Sequence, residues 1–276
     1  QLQDPGPWQT RADAPAGGWP TEPGARSHLD LDATLSVLDA LSTLAPGDPA
    51  AAPAWAASRR ATAVMLAMQE GSGAFARFER GEADVFMQRL PWTDADLLAY
   101  GRPNDAVHVR LTAAVLQRLA ETGLRTEDDR VRRGVEFLAR TVGDRNDDVP
   151  LVTACAVAGA AGALLPDDHA LRREIERRIR VRQRDDGSFG SLHDTAAALG
   201  ALTDLGHACV QAQRAARHLV AALERDPDAF VNGRTTHDGG PGLSPDTLDP
   251  TAAARRSAQV LRRHAALAAQ VTELRS

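Results

Sequence analysis

No lysine occurs in these 276 residues, so all 32 basic side chains other than histidine are arginine. With so much alanine, this points to a GC-rich genome more than to a function. The 37 acidic residues outnumber the arginines, giving a formal net charge of −5, which argues against nucleic acid as the main partner. Cysteine is scarce. Cys155 and Cys209 lie in apolar helical contexts and read as buried small hydrophobes rather than a disulfide or metal pair. Neither Cys-x-x-Cys nor His-Glu-x-x-His is present, so nothing indicates a metal site of cysteine and histidine. No apolar run reaches the roughly 18 residues of a membrane span. The start, Gln1-Leu2-Gln3, has no charged-then-apolar signal pattern, and a chain trimmed or cut from something longer is expected. The expected location is cytoplasmic, or peripheral at a membrane. Aromatics are only 4%, and strand alternation is almost absent.

What remains is an ordinary soluble composition, 43% hydrophobic and 25% charged, long enough for one large domain or two small ones. Helical periodicity predicts helices over 33–44, 54–70, 107–122, 128–141, 150–164, 168–183, 194–206, 210–224 and 250–272. Glycine- and proline-rich loops punctuate them, among them Gly71-Ser72-Gly73 and Asp185-Asp186-Gly187-Ser188. The expected organisation is an entry segment over 1–15, an all-α domain over 16–249 and a docked C-terminal helix over 250–276.

An internal repeat emerges when the loops are compared. Its clearest copy runs Gln183, Gly187-Ser188-Phe189, then Asp194-Thr195-Ala196 opening a helix. The second runs Gln69, Gly73-Ala74-Phe75, then Thr112 after a long loop, and a degenerate one lies near Thr153. Thr112, Thr153 and Thr195 are 41 and 42 residues apart, the size of one helical hairpin. Gly17-Gly18-Trp19 with Asp32-Ala33-Thr34 is the first copy. The glycine permits a positive φ after an outer helix, the aromatic seals the junction between hairpins, and Asp or Thr caps the next helix. Hairpins repeated this way can close into a toroid in which all inner helices start at one end.

That common end would hold Asp30 and Asp32, two carboxylates before an apolar helical run. Two such groups are costly to desolvate together, so in a dry pocket one should hold its proton near neutral pH. A proton held that way is a general acid for something not very basic. Helix capping alone also explains an Asp-x-Asp here. His193-Asp194 reads as a capping turn, Asp144-Arg145-Asn146-Asp147-Asp148 as a solvated loop that could take Mg²⁺, and Asp238-Gly239-Gly240 as a last repeat closing the ring.

The units Gln183 to Gly187-Ser188-Phe189 and Gln69 to Gly73-Ala74-Phe75 resemble the QW repeats of squalene–hopene cyclases and other class II terpene cyclases. Gly17-Gly18-Trp19 followed by Asp30-Leu31-Asp32-Ala33-Thr34 resembles that family's Gly-Gly-Phe/Trp and Asp-x-Asp-Asp-Thr segment. The likeness covers about residues 10–225. It implies an all-α (α/α)6 barrel, with inner and outer helices, that protonates a C=C bond or epoxide of a linear isoprenoid. Asp32 would be the acid and Asp30 its support. No redox cofactor is implied, and Mg²⁺ could bridge a diphosphate substrate. Trp19, His28, Phe86, Trp92, Tyr100, His108 and Arg110 are the expected substrate-binding residues, with Arg110 a candidate for the diphosphate.

The chain departs from the family pattern at Ala33, where the motif has a further aspartate, and at Ala114, where a histidine often partners the acid. His108 or His28 could substitute for the latter. The few aromatics suit a short substrate better than a triterpene, and also suit an inactive relative. The family inserts a second helical domain after the first helix of the acid-motif domain, so such a domain is expected ahead of Gln1 or from a partner chain. Two alternatives follow: a non-catalytic α/α-barrel partner or carrier in an isoprenoid pathway, and a protein prenyltransferase β-like subunit, which would need zinc held by Asp, Cys and His.

Overall fold

Leu171, Ile175 and Ile179 recur every four residues in a segment otherwise made of arginine and glutamate, and all three are buried. Such a stripe specifies a helix with one face in a core. In the computed structural model, which describes residues 15–20, 29–45, 47–77, 106–144, 149–206, 209–226, 261, 262 and 265, every named element is a helix. They are α1 (Leu31–Leu41), α2 (Ala51–Ala67), α3 (Ala106–Glu121), α4 (Asp129–Asp144), α5 (Leu151–Leu164), α6 (Ala170–Arg180), α7 (Leu192–Asp204) and α8 (Val210–Arg225).

The chain divides into two compact units, 1–144 and 145–276. In the first, α1 packs on α2 and α3, and α3 packs on α4. In the second, α5 packs on α6 and α7, and α7 packs on α8. Within each unit, then, the odd-numbered helices pack together and each carries an even-numbered one. The sequences suit these roles. α5 carries no charged side chain and buries Thr153, Ala154, Val157, Ala158 and Leu164, whereas α6 is charged on all but one face. α5 and α7 approach closely, because a Cβ on Gly162 would collide with the backbone carbonyl of Asp204. Burying Ile175 and Ile179 stabilises the second unit by about 1.5–3 kcal/mol each.

The turns repeat one construction. The Gln69 side-chain amide donates to the carbonyls of Gly73 at 3.1 Å and Arg130 at 2.7 Å, tying the turn to the start of α4. Gln183 does the same, to Gly187 at 3.0 Å and Gln211 at 2.8 Å, at the start of α8. Gly73 and Gly187 have φ of +95° and +87°, and each lies against a carbonyl of an even-numbered helix, of Arg133 on α4 and Arg214 on α8. A side chain there would meet both backbone strain and a collision. The next aromatic residue donates its backbone N–H to a threonine on an odd-numbered helix: Phe75 to Thr112 and Phe189 to Thr195, both at 3.0 Å. Trp19 donates likewise to Thr34, at 2.9 Å.

Some boundaries differ from expectation. α1 begins at Leu31 rather than 33, because Asp30 takes the cap, and α7 begins at Leu192 because Ser191 takes it. α6 ends at Arg180 rather than 183, since Gln183 is committed to its turn. Cys209 is half-buried rather than buried, because it precedes α8 at the N-cap position instead of lying within the helix. The expected helix over 250–272 lies almost wholly outside the described residues, as does the ring-closing segment Asp238-Gly239-Gly240.

Candidate functional site

The start of α1 is fixed from three sides. Asp30 donates its backbone N–H to the Trp19 carbonyl at 3.0 Å. Leu31 N–H donates to the Arg77 carbonyl at 3.0 Å. Thr34 Oγ1 accepts from Trp19 N–H and donates to the Asp30 carbonyl at 2.8 Å. Three separate stretches of chain, around residues 19, 30 and 77, therefore meet at one helix N-terminus.

Asp30 is the N-cap and is 1% exposed. Its Oδ1 accepts from the N–H groups of Asp32 at 2.8 Å and Ala33 at 3.4 Å, groups that the helix cannot satisfy itself. Arg77 grips the same carboxylate with a fork, Nε to Oδ1 at 3.1 Å and Nη2 to Oδ2 at 2.9 Å. Every one of these partners is a donor, so Asp30 is used as an acceptor on both oxygens.

Asp32 is different. It sits in the first turn of α1, and its side chain remains 31% exposed. Its Oδ2 lies 3.9 Å from Arg77 Nη2 and 3.6 Å from Arg110 Nη2. Arg110 comes from α3, which packs on α1. So the two carboxylates both face Arg77 but differ in burial, and they are not a pair in a single dry pocket. One is buried and spent on the fold, while the other is accessible beside two guanidinium groups.

Arg110 thus meets Asp32. His108, two residues before it on the same helix, is 5% exposed. Trp19 is buried, in the same hydrogen-bonded position as Phe75 and Phe189. His28, Phe86, Trp92 and Tyr100 lie outside the described residues. Sequence reasoning missed Arg77. The only available signal was its place directly after the second repeat, two residues beyond Phe75.

Asp194 takes a structural role. Asp194 Oδ2 accepts from Ser191 Oγ at 2.8 Å, and Ser191 Oγ accepts from Asp194 N–H at 3.1 Å, a reciprocal capping box that answers the reading of His193-Asp194 as a capping turn. Burial, followed by the nearby Asp194 charge, pushes the Cys155 thiol up to about 12, far from the reactive thiolate range. Among the described residues no three histidine, cysteine or acidic side chains group as metal ligands. Of the acidic loop 144–148, only Asp144 is described. No helix among the described residues is long and apolar enough to cross a membrane.

No curated protein sequence matches the chain. The family model of the squalene-hopene cyclase C-terminal domain matches residues 1–236, most of the 276. The fold of that family is an α/α barrel, and the all-helical described residues are of this class. On that match the chain belongs to the squalene-hopene cyclase C-terminal domain family, a family of class II terpene cyclase type.

Proposed function

We propose that this chain is the acid-bearing domain of a class II-type terpene cyclase, in which Asp32 protonates a terminal C=C bond of a linear isoprenoid, a prenyl diphosphate for preference. The observation that carries the reading is the division of labour at the start of α1. Asp30 spends both oxygens on Arg77 and the helix, whereas Asp32 does no capping work and stays open to a substrate, whose apolar chain must supply the dry surroundings in which an acid keeps its proton.

In the reaction the O–H bond of Asp32 breaks and a C–H bond forms at the terminal alkene carbon. The neighbouring carbon becomes cationic, and the next double bond attacks it to close a ring. Arg77 and Arg110 face the charge that appears on Asp32 as the proton leaves, which is electrostatic stabilisation of the developing anion. Loss of a proton or capture of water ends the sequence, and no electron is exchanged with a redox cofactor.

This chemistry also bears on Arg110. In a prenyl diphosphate the terminal alkene and the diphosphate lie at opposite ends of the chain. A guanidinium 3.6 Å from the acid is at the alkene end, so Arg110 serves Asp32 rather than the diphosphate. The diphosphate, with a Mg²⁺ ion if one bridges it, would be held elsewhere, by a second helical domain or a partner chain. A cytoplasmic location at a membrane surface suits such a substrate.

A specific observation favours a second reading, a non-catalytic α/α-barrel partner or carrier. Asp32 beside two guanidiniums is also how a structural ion pair looks, and Ala33 supplies no further carboxylate. The test is incubation with farnesyl diphosphate, geranylgeranyl diphosphate and squalene, with and without an upstream helical domain, and product analysis by mass. Cyclised product that vanishes in Asp32→Asn supports the acid. Equal product from Asp32→Asn would sink it, and no product under any condition favours the carrier.

A further inference from the structure

We propose that Arg77 is the positioning residue of the acid site: it fixes the Asp30 carboxylate, and through it the height and direction of Asp32 on α1. The inference rests on the reading of Asp32 as the acid.

The argument is geometric. Arg77 reaches the start of α1 twice. Its backbone carbonyl accepts from Leu31 N–H at 3.0 Å, and its guanidinium binds both oxygens of Asp30. A two-point fork fixes orientation as well as distance, which a lysine ammonium cannot do. The Asp30 Oδ1 that receives Arg77 Nε also receives the backbone N–H of Asp32 at 2.8 Å. Arg77, one carboxylate oxygen and the Asp32 backbone thus form a continuous chain of hydrogen bonds. Asp30 is 1% exposed, so no bulk water replaces a lost partner. The same guanidinium ends 3.9 Å from Asp32 Oδ2, so its charge also faces the reacting carboxyl.

The corresponding helix start in the second unit is built differently. There the N-cap is Ser191, which is closed by Asp194 from within the same turn. A helix start needs no arginine from a distant segment merely to be capped. Arg77 is 47 residues from Asp30 in sequence, and it belongs to the stretch that follows the second repeat. A chain that brings it here spends an arginine on holding one particular carboxylate still.

The experiment compares wild type with Arg77→Met, Arg77→Lys and Asp32→Asn, in the full chain. Two readouts are used. The first needs no substrate: amide hydrogen exchange at Asp32 and Ala33, referred to Leu192 and Asp194 in the second unit. Arg77→Met should speed exchange at Asp32 and Ala33 and leave the reference amides unchanged. The second is turnover of farnesyl or geranylgeranyl diphosphate per folded molecule, with kcat and KM measured separately. Misplacing a reacting group by about 1 Å costs on the order of 100-fold. Arg77→Met should therefore lower kcat by about that factor with little change in KM, and Arg77→Lys should fall between it and wild type. A variant that only unfolds more easily would instead lose active molecules at unchanged kcat. The inference is overturned if Arg77→Met leaves the Asp32 and Ala33 amides as protected as in wild type. It is also overturned if kcat per folded molecule stays within about twofold of wild type. Asp32→Asn keeps the outcomes apart: its full activity removes the acid reading itself, whereas an inactive Asp32→Asn beside a fully active Arg77→Met removes only the role of Arg77.

Discussion

The starts of α1 and α7 use one plan and reach opposite results. Aligned on the threonines that accept an aromatic residue's N–H, Asp30-Leu31-Asp32-Ala33-Thr34 stands beside Ser191-Leu192-His193-Asp194-Thr195. Both threonines also donate to the N-cap carbonyl, at 2.8 Å. At α7 the cap is a neutral hydroxyl, and the one carboxylate of the turn, Asp194, closes a box with it. That carboxylate is used within its own turn. At α1 the cap is itself a carboxylate, Arg77 neutralises it from outside, and the residue at the box-closing position is Ala33. That leaves Asp32 over, pointing at Arg110 and solvent instead of at the helix. A helix start becomes a candidate site when it holds more carboxylate than capping can use.

The sharpest way to break this comparison is Asp32→Asn. If Asp32 is surplus to the fold and needed for the reaction, the variant keeps its melting temperature within a few degrees while turnover falls at least about 100-fold, the lower end for loss of a general acid. A large drop in melting temperature with activity retained would mean that Asp32 belongs to the fold and not to the chemistry.

Asp30→Ala against Ser191→Ala measures the same contrast as stability. Removing Asp30 takes both fork hydrogen bonds from a largely buried guanidinium, and breaking a buried pair from one side costs about 3–5 kcal/mol. Removing the Ser191 hydroxyl should cost about 1 kcal/mol, an ordinary cap. Urea titration of both variants should show the first several times larger than the second. Equal losses would mean that the Arg77 fork adds nothing beyond capping.

Ala33→Asp makes the two starts alike at the box-closing position. A carboxylate in the first turn of a helix should stabilise it by about 0.3–1 kcal/mol, read as a small rise in melting temperature. On the acid reading it also restores the carboxylate present in the family motif, so kcat should rise rather than fall. A fall in kcat would argue that Asp32 works with the arginines alone.

How much of this was legible beforehand depended on the range of the interactions. The helices follow from local periodicity, and the repeated turns from Gln, Gly, aromatic and Thr at fixed spacing, because each element acts within one hairpin. Asp30 and Asp32 were visible as a pair for the same reason. Their inequality was not. It is set by Arg77, brought from 47 residues away, and by Arg110 on a helix separated from α1 by another hairpin arm. Nothing in the residues flanking Asp30 announces an arginine at that distance. Cys209 was misread for a smaller reason: an apolar run does not say which of its residues lies outside the helix that follows.

The smallest effect expected separates a buried carboxylate from a part-exposed one. Glu174 on α6 accepts from Arg177 at 2.8 Å and Arg178 at 2.6 Å, and the Arg177 hydrogen bond above all holds its carboxyl down at about 2. A carboxyl depressed in the folded state stabilises it above the unfolded-state value of roughly 4.3, and the contribution fades as the pH falls from there towards 2. Its side chain is 34% exposed, so solvent screening limits the gain to about 1 kcal/mol or less. Glu174→Gln should accordingly change stability little at pH 7 relative to Asp30→Ala, and should flatten the acid limb of a stability–pH curve between about 4.5 and 2. If Glu174→Gln cost as much as Asp30→Ala at neutral pH, exposure of the carboxylate would not be what distinguishes the two pairs. The case for Asp30–Arg77 as a special lock at the start of α1 would then lose its contrast.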